Sequence, residues 1–313
     1  MGTLLKTEHL KKYYGSKTIV RAVDDVSLEI KEGASLALIG ESGSGKTTFG
    51  KVAANLEKAT DGKIFFQGEE ITNLKTSQMR KHRKNMQMIF QSSGGVFDPS
   101  YTIGENIQEI LKNYEKLSKT EYDERIEEAL MQTGLDPSLK NRYVKQLSGG
   151  QCQRANIARA LILKPKLVIC DEPVSSLDYS IRKQILNLLN DIQHKYSVTY
   201  LLITHDLSNV PYLCKEVAIM YMGTIVEYME DTTDMKERAQ HPYTKKLFDS
   251  IPASDPLKRT VGQKKLEMVG VGVYADQGCP YQNRCPQCKQ ICKEARPELK
   301  EVAKGHKVAC HLM

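Results

Sequence analysis

The chain has no tryptophan, only 7% aromatic residues and no stretch of about 18 uncharged apolar residues. A helix crossing a bilayer needs roughly 20 such residues, so no segment reads as a membrane span. Met1 to Lys12 lacks the apolar core of a secretory signal, and together these absences predict a cytosolic chain. Charge of one sign is not in large excess: 45 Lys and Arg against 38 Asp and Glu leave a formal net charge of +7 over 313 residues. The densest basic cluster, Arg80, Lys81, Arg83 and Lys84, is short and has no interleaved aromatics. A solvated helical face is therefore favoured over a nucleic-acid surface, with an anionic membrane surface left open. Internal repeats and low-complexity tracts are missing too.

What is present is an ordinary globular composition, 27% charged and 40% hydrophobic, at a length that suggests about two domains. The unusual feature is eight cysteines, five of them between Cys279 and Cys310. With no signal and a chain of this size, an extracellular disulfide framework is argued against, and metal binding is the reading that explains clustered thiols in a reducing compartment. Cys152, Cys170 and Cys214 stand in helix or strand contexts and are expected to be packing residues.

Three apolar runs organise the chain: 34–39, Leu167 to Cys170, and Val198 to Ile203. Each ends on polar residues, as buried strands of a largely parallel sheet do at their ligand-binding edge. The first is followed by a Gly/Ser turn and a predicted helix from Lys46 to Leu56; helices are also expected over Thr102 to Tyr114, Lys119 to Thr133 and Gln151 to Leu163. The fold class is thus α/β, with a helical insertion at about 92–163. After about residue 230 the strand pattern fades; a short helix from His241 to Ile251 stops at Pro252, and Asp255 to Lys265 reads as a linker. These features divide the chain into 1–254 and a small Cys-rich C-terminal extension, 255–313.

Gly40, Glu41, Ser42, Gly43, Ser44, Gly45, Lys46 and Thr47, followed by Thr48, match G-x-x-x-x-G-K-[ST] in full. Backbone N–H groups of such a loop face phosphate oxygens and the helix behind it presents its positive end. Lys46 reaches the β- and γ-phosphates and the Thr47 hydroxyl suits Mg²⁺. Asp171 is the expected second Mg²⁺ partner, and Glu172 is placed to orient and deprotonate a water; a solvated strand end is the plainer alternative for that pair.

Leu147, Ser148, Gly149, Gly150 and Gln151 form a second motif. With the phosphate loop, Gln91 after an apolar run, Asp171-Glu172-Pro173, Ser176-Leu177-Asp178 and His205, in this order, the chain resembles the ATP-binding cassette family over residues 1 to about 250. Beyond that, His241-Pro242-Tyr243-Thr244 and the block from Cys279 through Arg284-Cys285 to Cys310-His311-Leu312 resemble the ATP-binding subunits of oligopeptide and dipeptide importers.

The resemblance implies a P-loop ATPase core working as a head-to-tail pair with a second ATP-binding subunit, a paralogue or another copy. Two permease subunits and, indirectly, an extracytoplasmic binding protein complete the assembly, at the cytoplasmic face of the membrane. It implies that Ser148, Gly149 and Gly150 meet the γ-phosphate held by the opposite subunit. Helix-start N–H groups at the signature fit that role. By the same resemblance Tyr14 stacks on adenine, with Tyr13 a close rival, and Gln91 touches Mg²⁺ and the attacking water. His205 holds Glu172 and the γ-phosphate in geometry, and Asp178 links the two sites. Where the family usually continues its glutamine with Asp-Pro, this chain has Ser92-Ser93-Gly94-Gly95, which weakens any inference about the permease.

For the C-terminal thiols the resemblance implies a four-iron, four-sulfur cluster on Cys279, Cys285, Cys292 and Cys310, with Cys288 extra. Ligand chemistry alone also admits zinc or metal-free reduced thiols. The expected function is to energise peptide import by ATP hydrolysis. Alternatives are a nickel or metallophore importer, a regulatory or translation-type cassette protein, and, more remotely, a nucleic-acid-bound metal module. Only about 100 residues separate the phosphate loop from the signature, too few for the long coiled coil that splits repair-type cassettes.

Overall fold

The computed structural model describes residues 2–91, 94–250 and 277–313. The expected linker from Asp255 to Lys265, and Ser92 and Ser93 after Gln91, lie outside the described residues. The chain opens with long strands β1 (Thr3–Tyr14) and β2 (Val20–Lys31), then β3 (Ser35–Ile39), α1 (Lys46–Ala53), β4 (Asp61–Phe66), β5 (Glu69–Glu70), α2 (Thr76–Asn85) and β6 (Met86–Ile89). Helices α3 (Ile103–Tyr114), α4 (Lys119–Gln132) and α5 (Gly149–Leu161) follow. The α/β order then resumes with β7 (Leu167–Asp171), α6 (Tyr179–Tyr196), β8 (Thr199–Thr204), α7 (Val210–Leu213), β9 (Glu216–Tyr221), β10 (Thr224–Met229), α8 (Met235–Arg238) and α9 (Pro242–Asp249). The last described stretch carries α10 (Gln290–Glu294), β11 (Lys300–Ala303) and β12 (His306–Val308). Among the described residues no helix is long and apolar enough to cross a membrane.

Two sheets result. A four-stranded antiparallel sheet runs β2-β1-β4-β5, and an eight-stranded sheet runs β11-β12-β10-β9-β3-β8-β7-β6. In the larger sheet β9, β3, β8, β7 and β6 pair in parallel, while β10, β12 and β11 pair antiparallel beyond β9. The central strands read as unbroken apolar runs because both of their faces are covered. Along β3, Leu36 and Leu38 point into the core shared with the smaller sheet and α1, whereas Ala37 and Ile39 point into the core shared with α5, α6 and α9. Strand alternation sends neighbours to opposite faces, so one run fills two cores.

The predicted helices are present with small shifts. Thr102 and Ser118 each accept the N–H three residues on, from Glu105 and Glu121, and those glutamates accept the cap N–H groups in return, which sets where α3 and α4 begin. The helical insertion has its own core of Ile103, Ile107, Leu111, Ile126, Leu130 and their neighbours, tied to the main body by α5. One face of α5 gives Ala155 and Ala158 to this core, and the other gives Ile157 and Ala160 to the sheet. In the basic cluster on α2, Lys81 pairs with Glu69 and Lys84 with Glu115.

Sequence patterning misses β1, β2, β4, β9 and β10, and the fading strand signal after residue 230 is corrected by β11 and β12. These two short strands carry on the main sheet, so the cysteine-bearing residues are built into the core rather than appended to it. Cys279, Tyr281 and Cys292 belong to the same buried cluster as β9 and α9. The docking is polar as well as apolar. Glu227 on β10 is fully buried and accepts from the N–H groups of Gln240 and His241, while His306 on β12 meets it at 2.7 Å. A buried carboxylate satisfied by three partners fixes strand, loop and C-terminal hairpin to one another.

Candidate active site

The phosphate loop leaves β3 at Ile39 and enters α1 at Lys46. Gly45 caps the helix with φ +102, and a Cβ there would stand 1.9 Å from the carbonyl oxygen of Ala22, so both backbone conformation and space demand glycine. Lys46 is 5% exposed, and its Nζ donates to the carbonyl oxygens of Gly40 and Glu41, both at 2.8 Å, and to Ser44 Oγ at 3.3 Å. Burial lowers its pKa, and the charges of Glu172, Asp171 and Glu41 oppose that shift. The loop's own carbonyls therefore hold the ammonium at the mouth of the cradle. Ser42 and Gly43 complete the turn, and Thr48 continues α1 behind it.

Thr47 Oγ1 donates to Asp171 Oδ1 at 2.9 Å, bringing the end of β7 against the start of α1. Burial pushes the Asp171 carboxyl up, and Glu172 adds to the shift while the Thr47 hydroxyl opposes it. Adjacent hydroxyl and carboxylate oxygens in a half-dry site are the hard donors that Mg²⁺ takes, and a dication there would offset the cost of ionising Asp171.

Glu172 follows with φ +46, a left-handed conformation that a non-glycine residue holds at a cost of about 1–3 kcal/mol. The turn aims its carboxylate at two neighbours: Gln91 Nε2 donates to Oε2 at 2.7 Å and His205 Nδ1 meets Oε1 at 2.7 Å. Gln91, Glu172 and His205 are thus one hydrogen-bonded group assembled from the ends of β6, β7 and β8, the ligand-binding edge of the parallel sheet.

Tyr14 lies 39% exposed with the Lys12 ammonium 4.8 Å from its ring centre, and its hydroxyl bonds to Glu57. Tyr13 instead turns its hydroxyl onto Asp24 Oδ1 at 2.5 Å, with its pKa pushed up to about 12 chiefly by burial. Of the two rivals, Tyr14 offers the more open aromatic face.

The signature residues are not joined to this group within the chain. Their helix, expected to begin near Gln151, begins at Gly149 with Ser148 as its cap: Ser148 Oγ accepts from the Gln151 N–H at 3.3 Å and Gln151 Oε1 accepts from the Ser148 N–H at 3.0 Å. The N–H groups of Gly149 and Gly150 lie in the first helical turn, where no intrahelical acceptor exists, the local chemistry that suits an anion. A surface cavity of about 470 Å³ borders Ser148, Gly150, Gln151 and Arg154, and the phosphate loop takes no part in it. Asp178 caps α6 by accepting from the Ile181 N–H at 3.1 Å, a bond that also holds its carboxyl below the usual range.

The C-terminal thiols correct one expectation. None of the eight cysteines is in a disulfide, but among the described residues no group of three or more His, Cys, Asp or Glu is gathered to hold a metal ion. Cys279, Cys285, Cys292 and Cys310 lie within range of one another's charge, and burial is the main cause of the raised thiol pKa of Cys279, to about 11. The expected packing cysteines are buried, Cys152 at 7%, Cys170 at 0% and Cys214 at 2% exposure.

Sequence reasoning missed a link from this segment to the phosphate loop. Arg284 forms a two-pronged ion pair with Glu41, Nη1 to Oε2 at 2.8 Å and Nη2 to Oε1 at 3.0 Å, and the Tyr243 hydroxyl accepts the Glu41 N–H at 2.9 Å. Arg284 also lies over the rings of Tyr221 and Tyr281. The partners stand 243 residues apart, and no local pattern announces such a pair.

Residues 23–175 match the family model for ABC transporter, and residues 226–292 match that for Oligopeptide/dipeptide transporter, C-terminal region. The chain is 40% identical to the oligopeptide transport ATP-binding protein AppF of Bacillus subtilis, over 99% of this chain and 97% of the relative. It is 41% identical to OppF of Salmonella typhimurium, likewise an oligopeptide transport ATP-binding protein, over 93% and 87%. Among solved structures it resembles the dimeric ATP-binding cassette MJ0796 bound to ADP and Pi, at TM-score 0.66 and 29% identity over 71% of this chain and 96% of that one. The ADP conformation of the cassette MJ1267 matches at TM-score 0.67 and 27% identity, over 80% and 100%.

Proposed function

Since the chain belongs to the ATP-binding proteins of ABC transporters, in the oligopeptide and peptide import branch, we propose that it hydrolyses ATP to energise the uptake of peptides through a membrane permease. The observation that carries the catalytic reading is the joining of Glu172 to Gln91 and His205 beside the Thr47–Asp171 pair and the Lys46 loop.

In this reading the N–H groups of 40–48 cradle the phosphates, and Lys46 exchanges its loop carbonyls for phosphate oxygens. Thr47 and Asp171, with Gln91 at the edge, would hold Mg²⁺, which when bound neutralises charge on the β- and γ-phosphate oxygens. Glu172 takes a proton from water as the water oxygen bonds to the γ-phosphorus and the bond to the bridging oxygen of ADP breaks. Gln91 and His205 hold the carboxylate in line for that transfer. Tyr14 offers a stacking face for the base, which needs no base-specific hydrogen bond. Ser148, Gly149, Gly150 and Gln151 of one subunit complete the γ-phosphate site of another, and Asp178 lies at the junction. ATP thereby favours the closed pair and hydrolysis releases it.

The partners in this proposal are a second ATP-binding subunit, two permease subunits and, indirectly, an extracytoplasmic binding protein, with the chain seated peripherally on the cytoplasmic side. The finer reading of the thiols, a four-iron, four-sulfur cluster on Cys279, Cys285, Cys292 and Cys310, rests on ligand type alone, since four thiolates suit such a cluster while the described residues are not gathered into a metal-holding group. No step of the reaction runs through it. Metal and sulfide analysis after anaerobic purification tests it: one equivalent of zinc without iron overturns it.

The function is tested by co-purifying the chain with its membrane partners and measuring ATP hydrolysis with candidate ligands. A copurifying permease and stimulation by peptides support the proposal. No permease, and activity indifferent to peptides, favours a regulatory cassette protein.

A further inference from the structure

Glu41 is held at three points. Its carbonyl oxygen accepts from Lys46, its N–H donates to the Tyr243 hydroxyl, and its carboxylate is gripped by both prongs of Arg284. Two of the three restraints come from beyond residue 240, outside the ATPase motifs. The tether is itself well anchored: Arg284 N–H donates to the Tyr281 carbonyl, Tyr281 is 1% exposed, and Cys279 N–H donates to the Cys292 carbonyl at 2.7 Å. The guanidinium further packs over Tyr221 and Tyr281.

A carboxylate at the second position of a phosphate loop is an electrostatic liability, because it repels the triphosphate that the loop cradles. Arg284 neutralises it and, by its planar fork, fixes its direction. We propose that Arg284 is a positioning residue for the phosphate loop, so that the C-terminal cysteine-bearing segment sets the affinity for nucleotide from outside the ATPase motifs. This rests on reading the loop as the nucleotide site. The role differs from catalysis: Arg284 acts through Glu41 and is not asked to touch the reacting atoms.

The test measures ATP binding, kcat and KM, and thermal unfolding for the full chain and the variants Arg284→Gln, Arg284→Lys, Glu41→Gln/Arg284→Gln and Lys46→Ala. Leaving Glu41 unpaired in Arg284→Gln is expected to weaken ATP binding and raise KM about ten- to thirtyfold, the scale of one uncompensated charge near the phosphates in a partly solvated site, with kcat changed much less. Arg284→Lys keeps the charge without the fork and falls between. In the double variant the repelling charge is gone, and most of the lost affinity returns. ATP affinity unchanged in Arg284→Gln, or a double variant as weak as the single one, overturns the proposal. Should Arg284→Gln unfold, Arg284→Lys carries the test, and wild-type ATP affinity there counts against the fork. Lys46→Ala separates the premises: retained ATP binding in that variant refutes the loop as nucleotide site, whereas its loss together with an indifferent Arg284→Gln refutes the positioning role alone.

Discussion

Replacing Glu172 with Gln removes one negative charge and one proton acceptor while keeping the side-chain shape. Glu172 has two partners at 2.7 Å, Gln91 on Oε2 and His205 on Oε1. A carboxamide at 172 can keep both: its oxygen still accepts from His205, and its amino group donates to Gln91 once that side chain turns its own amide over. The local rearrangement therefore costs about 1 kcal/mol or less, the net worth of one hydrogen bond. What cannot be replaced is the basic oxygen that takes the water proton. General-base catalysis contributes about 10²- to 10⁴-fold, or roughly 3 to 5.5 kcal/mol of barrier. The expected outcome is ATP binding close to that of the parent, kcat lower by that factor, and accumulation of an ATP-bound pair of subunits. Phosphate release under saturating ATP and Mg²⁺, read with gel filtration in the same buffer, checks all three. Phosphate release within about threefold of the parent would refute the reasoning, since it falls well below the roughly 10²-fold or more that general-base catalysis typically contributes.

Three further outcomes follow from the geometry. Gly45→Ala must place a methyl 1.9 Å from the Ala22 carbonyl oxygen at φ +102, so ATP binding measured by fluorescence titration should be lost; binding like the parent's would show that the loop does not need this turn. His241 is 1% exposed, its pKa lowered to about 4 by burial, and its Nδ1 accepts the Tyr243 N–H at 3.1 Å, which requires a neutral ring with its proton on Nε2. The unfolded chain protonates this ring near 6.5 while the folded one does not, so stability should fall as pH drops from about 6.5 towards 4, by about 3 kcal/mol from this group. His241→Asn, which keeps an acceptor without the proton, should flatten that limb of the melting curve against pH; an unchanged limb would assign the acid sensitivity elsewhere. Burial raises the Asp171 carboxyl, so this group favours the fold at low pH and loses that contribution as pH rises through its folded-state pKa. Asp171→Asn, with the Thr47 bond retained, should accordingly melt higher than the parent at neutral pH without Mg²⁺, and the gap should close in acid. A gap that widens in acid would contradict the sign.

Much of the candidate site can be read directly from the residues because its chemistry is carried by short contiguous segments. The phosphate loop needs glycines and a lysine at set spacing within one strand-turn-helix, and Asp171, Glu172 and His205 each follow an apolar run that a parallel sheet ends at one edge. The long outer strands β1 and β2 are harder to see, since only one side of them is buried and register shifts break their alternation. The strands β11 and β12 are three or four residues long and largely polar; they are strands because β10 offers an edge to pair with.

By itself the sequence determined the α/β class, the phosphate loop, the order of the ATPase motifs and the grouping of five thiols near its end, all properties of neighbours along the chain. Only the tertiary structure decided that Gln91 joins His205 on the Glu172 carboxylate, that the thiol-bearing segment continues the main sheet, and that Arg284 grips Glu41 from 243 residues away. The physical reason is one of range: propensity, capping and alternation act over a few residues, whereas ion pairs and sheet edges join whatever the packed core brings within about 3 Å.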